Sequence, residues 1–163
     1  GSTSQLAVEL LKLRANINMV HVPYQGAAPA AQSAVAGTTD VASVAVGGMM
    51  GLINSGALKA LVQTGKDRWP EMPNVPTTAE AGIPNAVVET SQMLLAPAGT
   101  PKPIIDKLAK IVLVIMKKPA VREKMLKAGF AVQPESTDAL RERIAREVPM
   151  WKEVVERAGI KQN

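Results

Sequence analysis

Two short stretches of this 163-residue chain carry residue types that suit holding an anion without reacting with it. Ser2, Thr3 and Ser4 precede a segment whose apolar residues Leu6, Leu10 and Leu13 recur at helical spacing, and Gln25, Gly26, Ala27 and Ala28 open a second segment of small residues ending near Gly37. The first amides of a helix have no acceptor inside it, and the aligned peptide dipoles place partial positive charge there, so a helix start is suited to a carboxylate. The same hydroxyls can equally serve only as helix caps.

Catalytic constellations are missing from the rest of the chain. His21 is the single histidine and lies in an apolar, strand-like run without cysteine partners, so its expected role is structural. There is no Gly-x-Ser-x-Gly elbow, Walker loop or dinucleotide fingerprint, and Gly47-Gly48 is too short for a phosphate cradle. Glu123, Glu142, Glu147 and Glu153 fall on charged helix faces beside Lys or Arg, where surface pairing is expected rather than acid–base work. Met49, Met50, Met93 and Met116 are expected to fill gaps in the core. The competing readings are a ligand-sensing protein that serves a signalling partner and a small α/β enzyme using Ser4 or Asp40, the latter lacking both a triad and a metal set. Neither a cofactor nor a metal is called for.

Composition narrows the partners. The chain is 47% hydrophobic and 20% charged, values of a folding globular protein, and it has no cysteine, which removes disulfides and thiolate chemistry together. A net charge of +5 could suit nucleic acid, but Arg141-Glu142-Arg143 and Lys152-Glu153 interleave the signs, and 2% aromatic residues leave little for base stacking. No nucleic-acid partner is expected. No window approaches the roughly 18 consecutive apolar residues of a membrane span.

The elements that must position the two helix starts follow from periodicity and punctuation. Ser4 is expected to cap a helix ending near Asn16. Ile17 to Val22 reads as a strand stopped by Pro23, and residues 27 to 36 as a helix closed by Gly37. Asp40 to Val46 and Leu58 to Gln63 read as further strands around a short helix at Gly48 to Asn54. Such alternation predicts an α/β fold of short parallel βαβ units, with function in the loops after Val22 and Val46.

Lys66 to Pro84 is broken by four prolines, yet Trp69 and Met72 give it apolar surface to bury, so an ordered excursion is expected, with Thr77 or Thr78 capping one turn up to Gly82. Val87 to Ala96 then reads as a strand. Thr100 and Pro101 are expected to start a helix with Ile104, Leu108, Ile111, Val112 and Ile115 on one face. A helix from Pro119 to Gly129, a short strand at Phe130 to Gln133 and a last helix from Ser136 or Thr137, kinked at Pro149, complete the C-terminal part.

Several segments, taken in order, resemble one family. Gly1-Ser2-Thr3-Ser4-Gln5-Leu6, Val20-His21-Val22-Pro23-Tyr24-Gln25-Gly26, Pro73-Asn74-Val75-Pro76-Thr77-Thr78-Ala79-Glu80-Ala81-Gly82 and Ala96-Pro97-Ala98-Gly99-Thr100-Pro101 are similar to the solute-binding proteins of tripartite tricarboxylate transporters, the Bug receptors. The resemblance implies a periplasmic, non-enzymatic receptor of the type II, Venus-flytrap kind, which closes two α/β lobes on a small organic carboxylate and delivers it to membrane permease subunits. It implies that Ser2, Thr3, Ser4, Tyr24, Gln25, Gly26, Ala27, Ala28 and Ala45 are ligand-binding.

Gln5 stands where the family has His, Val44-Ala45 where it often has Asp-Asn, and Ser91 where Trp is common. Without that acidic residue an ammonium group lacks its natural partner, so a carboxylate with an apolar body is the expected ligand. The family's long N-terminal portion has no counterpart here. Residues 1–93 are then expected to form most of one lobe, and 94–163 a crossing strand and C-terminal helices of the other. Apolar helix faces left uncovered would pack on the first lobe or join a second chain by swapping or dimerising.

Overall fold

Helices form where caps and apolar spacing call for them in a computed structural model that describes residues 1–160. The chain divides into two compact units, one of Gly1–Thr90 with residues 154–160, the other Ser91–Glu153.

In the first unit, α1 spans Thr3–Ala15. Its cap is Ser2 and not Ser4: Ser2 has extended backbone angles and its Oγ accepts from the Gln5 N–H at 3.2 Å, whereas Ser4 is already inside the first turn. Asn16, left-handed at φ 51°, ends the helix by donating its N–H to the Lys12 carbonyl. Leu10 is 1% exposed and Ala7 is buried beside it, while Leu13 lies outside the buried stripe. Helix α2 covers Ala27–Val35 and buries Ala31 completely, a contact that only a small side chain permits. It closes as expected at Gly37, whose φ of 70° lets the Thr38 N–H reach back to the Ser33 carbonyl at 2.9 Å. A single 3₁₀ turn at Val46–Gly48 leads into α3, Met50–Asn54.

Among the described residues no β-ladder forms, and strand pairing is one isolated parallel bridge between Gln63 and Thr77. A strand needs a neighbour for its backbone donors and acceptors. Among the described residues the segment 17–22 finds no such partner and exposes Val20 at 88%, whereas in 87–96 Val88 is buried with its N–H on the Thr64 carbonyl at 2.8 Å and Leu95 is 77% exposed. His21 is exposed for the same reason, which corrects its expected place inside a buried strand, and Met93 is exposed where a core position was expected, unlike buried Met49.

The proline-rich excursion is ordered by polar contacts more than by apolar burial. Gln63 donates from Nε2 to the Met72 and Val75 carbonyls at 3.0 and 2.7 Å and accepts at Oε1 from the Trp69 N–H at 2.7 Å. Thr77 and Glu80 form a reciprocal capping box: the Thr77 N–H reaches Glu80 Oε2 at 2.8 Å, and the Glu80 N–H reaches Thr77 Oγ1 at 3.3 Å. Arg68 adds its Nε to the same carboxylate oxygen at 2.8 Å and an Nη1 to the Pro73 carbonyl at 2.6 Å. Thr78, fully buried, donates its hydroxyl to the Ala86 carbonyl.

The second unit holds α4 (Lys102–Met116), α5 (Pro119–Lys127) and most of α6 (Thr137–Arg157). The Thr100 hydroxyl bonds the Pro97 carbonyl at 2.8 Å, so it does not cap α4, and Pro101 takes the cap position without a side-chain bond. The apolar face of α4 remains open, with Ile104, Leu108, Ile111 and Ile115 each more than a third exposed and no residue of the helix buried. Ser136 caps α6 through the Ala139 N–H at 3.2 Å, and the helix runs through Pro149 without interruption. Its buried residue is Val154, outside the stripe of Leu140, Ile144, Trp151 and Val155 that the spacing predicts.

Candidate functional site

All the expected ligand-binding positions lie in the first unit. At the start of α1, the Ser2 side chain is occupied with the Gln5 N–H, so its contribution is to fix the turn that presents the Thr3 and Ser4 amides. These amides precede the first intrahelical bond and have no acceptor within the helix. The first turn of α1 carries no acidic residue that would neutralise its positive end. Ser43 donates its hydroxyl to the Ser4 carbonyl at 3.2 Å, which ties the 40–46 segment to this helix start. Ala45 follows two residues later, exposed, at the cap position of the 3₁₀ turn.

The start of α2 is built differently. Gly26 holds φ 114°, a region disfavoured for residues with a Cβ, and donates its own N–H to the Tyr24 carbonyl at 3.0 Å. Ala27 and Ala28 are the first two helical residues and are exposed, and Pro29, the third, has no N–H. The unpaired donors of this helix start are therefore concentrated in two adjacent amides. No acidic residue sits in this first turn either. Two parallel N–H groups beside an uncompensated positive helix end can receive a carboxylate with its two oxygens. Gln25 is exposed beside them.

Tyr24 is also on this turn, but its hydroxyl faces along α2, 2.6 Å from Ser33 Oγ, and Ser33 Oγ is 3.0 Å from Thr39 Oγ1. Ser33 is buried at 8% exposure. Neither Ser33, Thr39 nor Ser43 stood out in the sequence. The available signal for Ser33 was a hydroxyl in the interior of a small-residue helix, a position that favours a specific partner over solvent. Among the described residues no group of three or more His, Asp or Glu could hold a metal ion, and no helix is long and apolar enough to cross a membrane.

The family model described as tripartite tricarboxylate transporter family receptor matches residues 1–160. A UPF0065 protein from the tcbD-tcbE intergenic region of Pseudomonas sp. (strain P51) is 33% identical over 95% of this chain and 46% of its own length. Protein BugT of Bordetella pertussis is 32% identical over 99% of this chain and 49% of its own. Among solved structures, an R. palustris protein with adipate superposes with a TM-score of 0.76 at 28% identity, covering 98% of this chain and 53% of that one. MatC from Rhodopseudomonas palustris with bound malate gives 0.71 at 31% identity, covering 94% and 53%. The chain thus has a periplasmic-binding-protein-like fold and spans about half the length of the curated relatives named here. With nearly its whole length matched, the chain belongs to the tripartite tricarboxylate transporter receptor family.

Proposed function

We propose that this chain is the ligand-embracing part of a periplasmic, non-enzymatic receptor that captures a small organic carboxylate and passes it to membrane permease subunits. The observation that carries the proposal is the pair of adjacent exposed amides at Ala27 and Ala28, set by Gly26 at the uncompensated start of α2. The start of α1, with Ser2, Thr3 and Ser4, supplies a second set of donors of the same kind. The adipate and malate held by the two structural neighbours support the ligand class.

Val44 and Ala45 bring no charge with which to hold an ammonium group. The preferred ligand is then a dicarboxylate with a plain methylene chain, adipate before citrate or aspartate. Residues 1–93 supply most of one lobe, where the strand-like segments 17–22, 40–46 and 58–63 are strands of a parallel sheet in the whole receptor, and most of 94–163 supports the other, the end of α6 from Val154 excepted because it falls in the first unit. The open faces of α4 and of residues 93–95 favour association with a second chain, by swapping or dimerising, when no covering half is present.

A thermal-shift panel of organic acids tests the ligand class. At about 100 times its dissociation constant a ligand adds roughly 2.7 kcal/mol to the folded state, a shift of several degrees. Adipate is expected to lead the panel. A clear lead for citrate or aspartate would remove the apolar-body preference, and no shift with any acid would remove the carboxylate reading for this chain.

A further inference from the structure

The residues from 18 to 25 carry no regular secondary structure, yet the last of them shape the turn before Ala27 and Ala28. Among the described residues, the only hydrogen bond joining this segment to anything beyond its own turn is that of the Tyr24 hydroxyl to Ser33 Oγ. The Tyr24 ring is 38% exposed and would otherwise be free to swing into solvent. Ser33, by contrast, is held firmly. Its carbonyl accepts the Thr38 N–H at 2.9 Å through the left-handed Gly37, and this closure brings Thr39 Oγ1 to 3.0 Å from Ser33 Oγ. A line of hydroxyls, Thr39 to Ser33 to Tyr24, thus runs from the C-terminal end of α2 to the turn in front of its N-terminus.

We propose that Ser33 is a positioning residue for the anion-binding turn: through Tyr24 it presets residues 24–28 before a ligand arrives. The proposal deepens the carboxylate-receptor reading and rests on it for the identity of the ligand. A preset turn lowers the ordering cost of binding, so losing the Ser33 end of the tether weakens affinity without altering any expected ligand-binding position. One neutral hydrogen bond of this kind corresponds to roughly three- to tenfold in affinity.

Backbone ¹⁵N relaxation on the full chain, as parent, Ser33→Ala, Tyr24→Phe and the double variant, tests the tether without needing a ligand. In each single variant the order parameters of Gln25, Ala27 and Ala28 should fall from about 0.85 toward about 0.6 while Gln32 and Ala34 keep theirs, and the double variant should fall no further. Tyr24→Phe provides the same readout if the buried Ser33 substitution prevents folding. Unchanged order parameters at residues 25–28 in Tyr24→Phe, equal loosening along all of α2, or additive losses in the double variant would each overturn the proposal. Titration with adipate in parallel separates the two claims: affinity reduced roughly three- to tenfold in Ser33→Ala, which alters no expected ligand-binding position, supports the positioning role. A parent protein that ignores adipate counts against the carboxylate reading, while the relaxation data still decide the tether.

Discussion

Gln63 and Trp69 are joined side chain to backbone, the Gln63 Oε1 accepting the Trp69 N–H at 2.7 Å, while Nε2 of the same amide donates to the carbonyls of Met72 and Val75. One half-buried amide therefore organises a proline-broken segment that cannot organise itself through helix or ladder bonds.

Replacing Gln63 with Leu should cost about 2–4 kcal/mol, because it leaves the Trp69 N–H and the Val75 carbonyl unpaired, while the Met72 carbonyl keeps only the Val75 N–H at 3.2 Å. Gln63→Glu should be at least as damaging at pH 7, since a carboxylate accepts but cannot donate to the two carbonyls it would face. Urea unfolding of both variants checks this, and equal stability of Gln63→Glu and the parent would contradict it.

Glu80 links pH to stability. The side-chain bond from Arg68, then the Thr77 backbone N–H, lower its pKa from 4.5 to about 2, and the pairing in turn raises the Arg68 pKa. Between those two values the unfolded chain binds more protons than the folded one, so stability rises with pH across this window. The contribution is complete above about 4.5 and is lost as pH falls toward 2. Glu80→Gln should flatten the curve of melting temperature against pH in that interval and leave its shape unchanged near neutrality.

Gly26→Ala should cost roughly 1–3 kcal/mol although a Cβ there would meet nothing within 4 Å, because the penalty lies in the φ of 114° and not in space. Gly48 offers equal room without a positive φ, so Gly48→Ala should stay within about 0.5 kcal/mol of the parent. Adipate affinity should fall in Gly26→Ala alone, by calorimetry.

Core and open apolar residues should separate cleanly. Leu10→Ala removes a side chain that is 1% exposed and should cost about 2–5 kcal/mol. Ile111→Ala, on the open face of α4 at 45% exposure, should cost less than about 1 kcal/mol in the chain by itself. A larger loss at Ile111, growing with protein concentration, would reveal that this face is covered in an assembly.

Helices were legible in the sequence because their signals are local. Gly37 and Gly129 end α2 and α5 in left-handed turns, and Ser136 caps α6, each through contacts a few residues apart. The cap of α1 fell two residues early, at Ser2, because three hydroxyl residues in a row offer equivalent side chains and only backbone angles decide among them. Strand-like segments are a different case: the pattern at Ile17 to Val22 states a preference, whereas a ladder requires a neighbour that no residue within the segment supplies. At the candidate site the helix starts could be read from Gly26 and the small residues after it. The hydroxyl line from Thr39 to Tyr24 could not, since it depends on Ser33 facing inward and on Gly37 folding Thr39 back over the helix.

The two donors at the start of α2 belong to the main chain, and this separates grip from choice. An amide N–H is the same whichever side chain its residue bears, so substitutions at Ala27 or Ala28 that keep the helix would leave the hold on a carboxylate intact. Under the proposed function, positions such as Val44 and Ala45 would then be where shape and polarity toward the rest of the ligand can change without loosening that hold. On the proposed reading, a receptor built in this way would keep its main-chain grip while side-chain substitutions alter which organic acid it prefers.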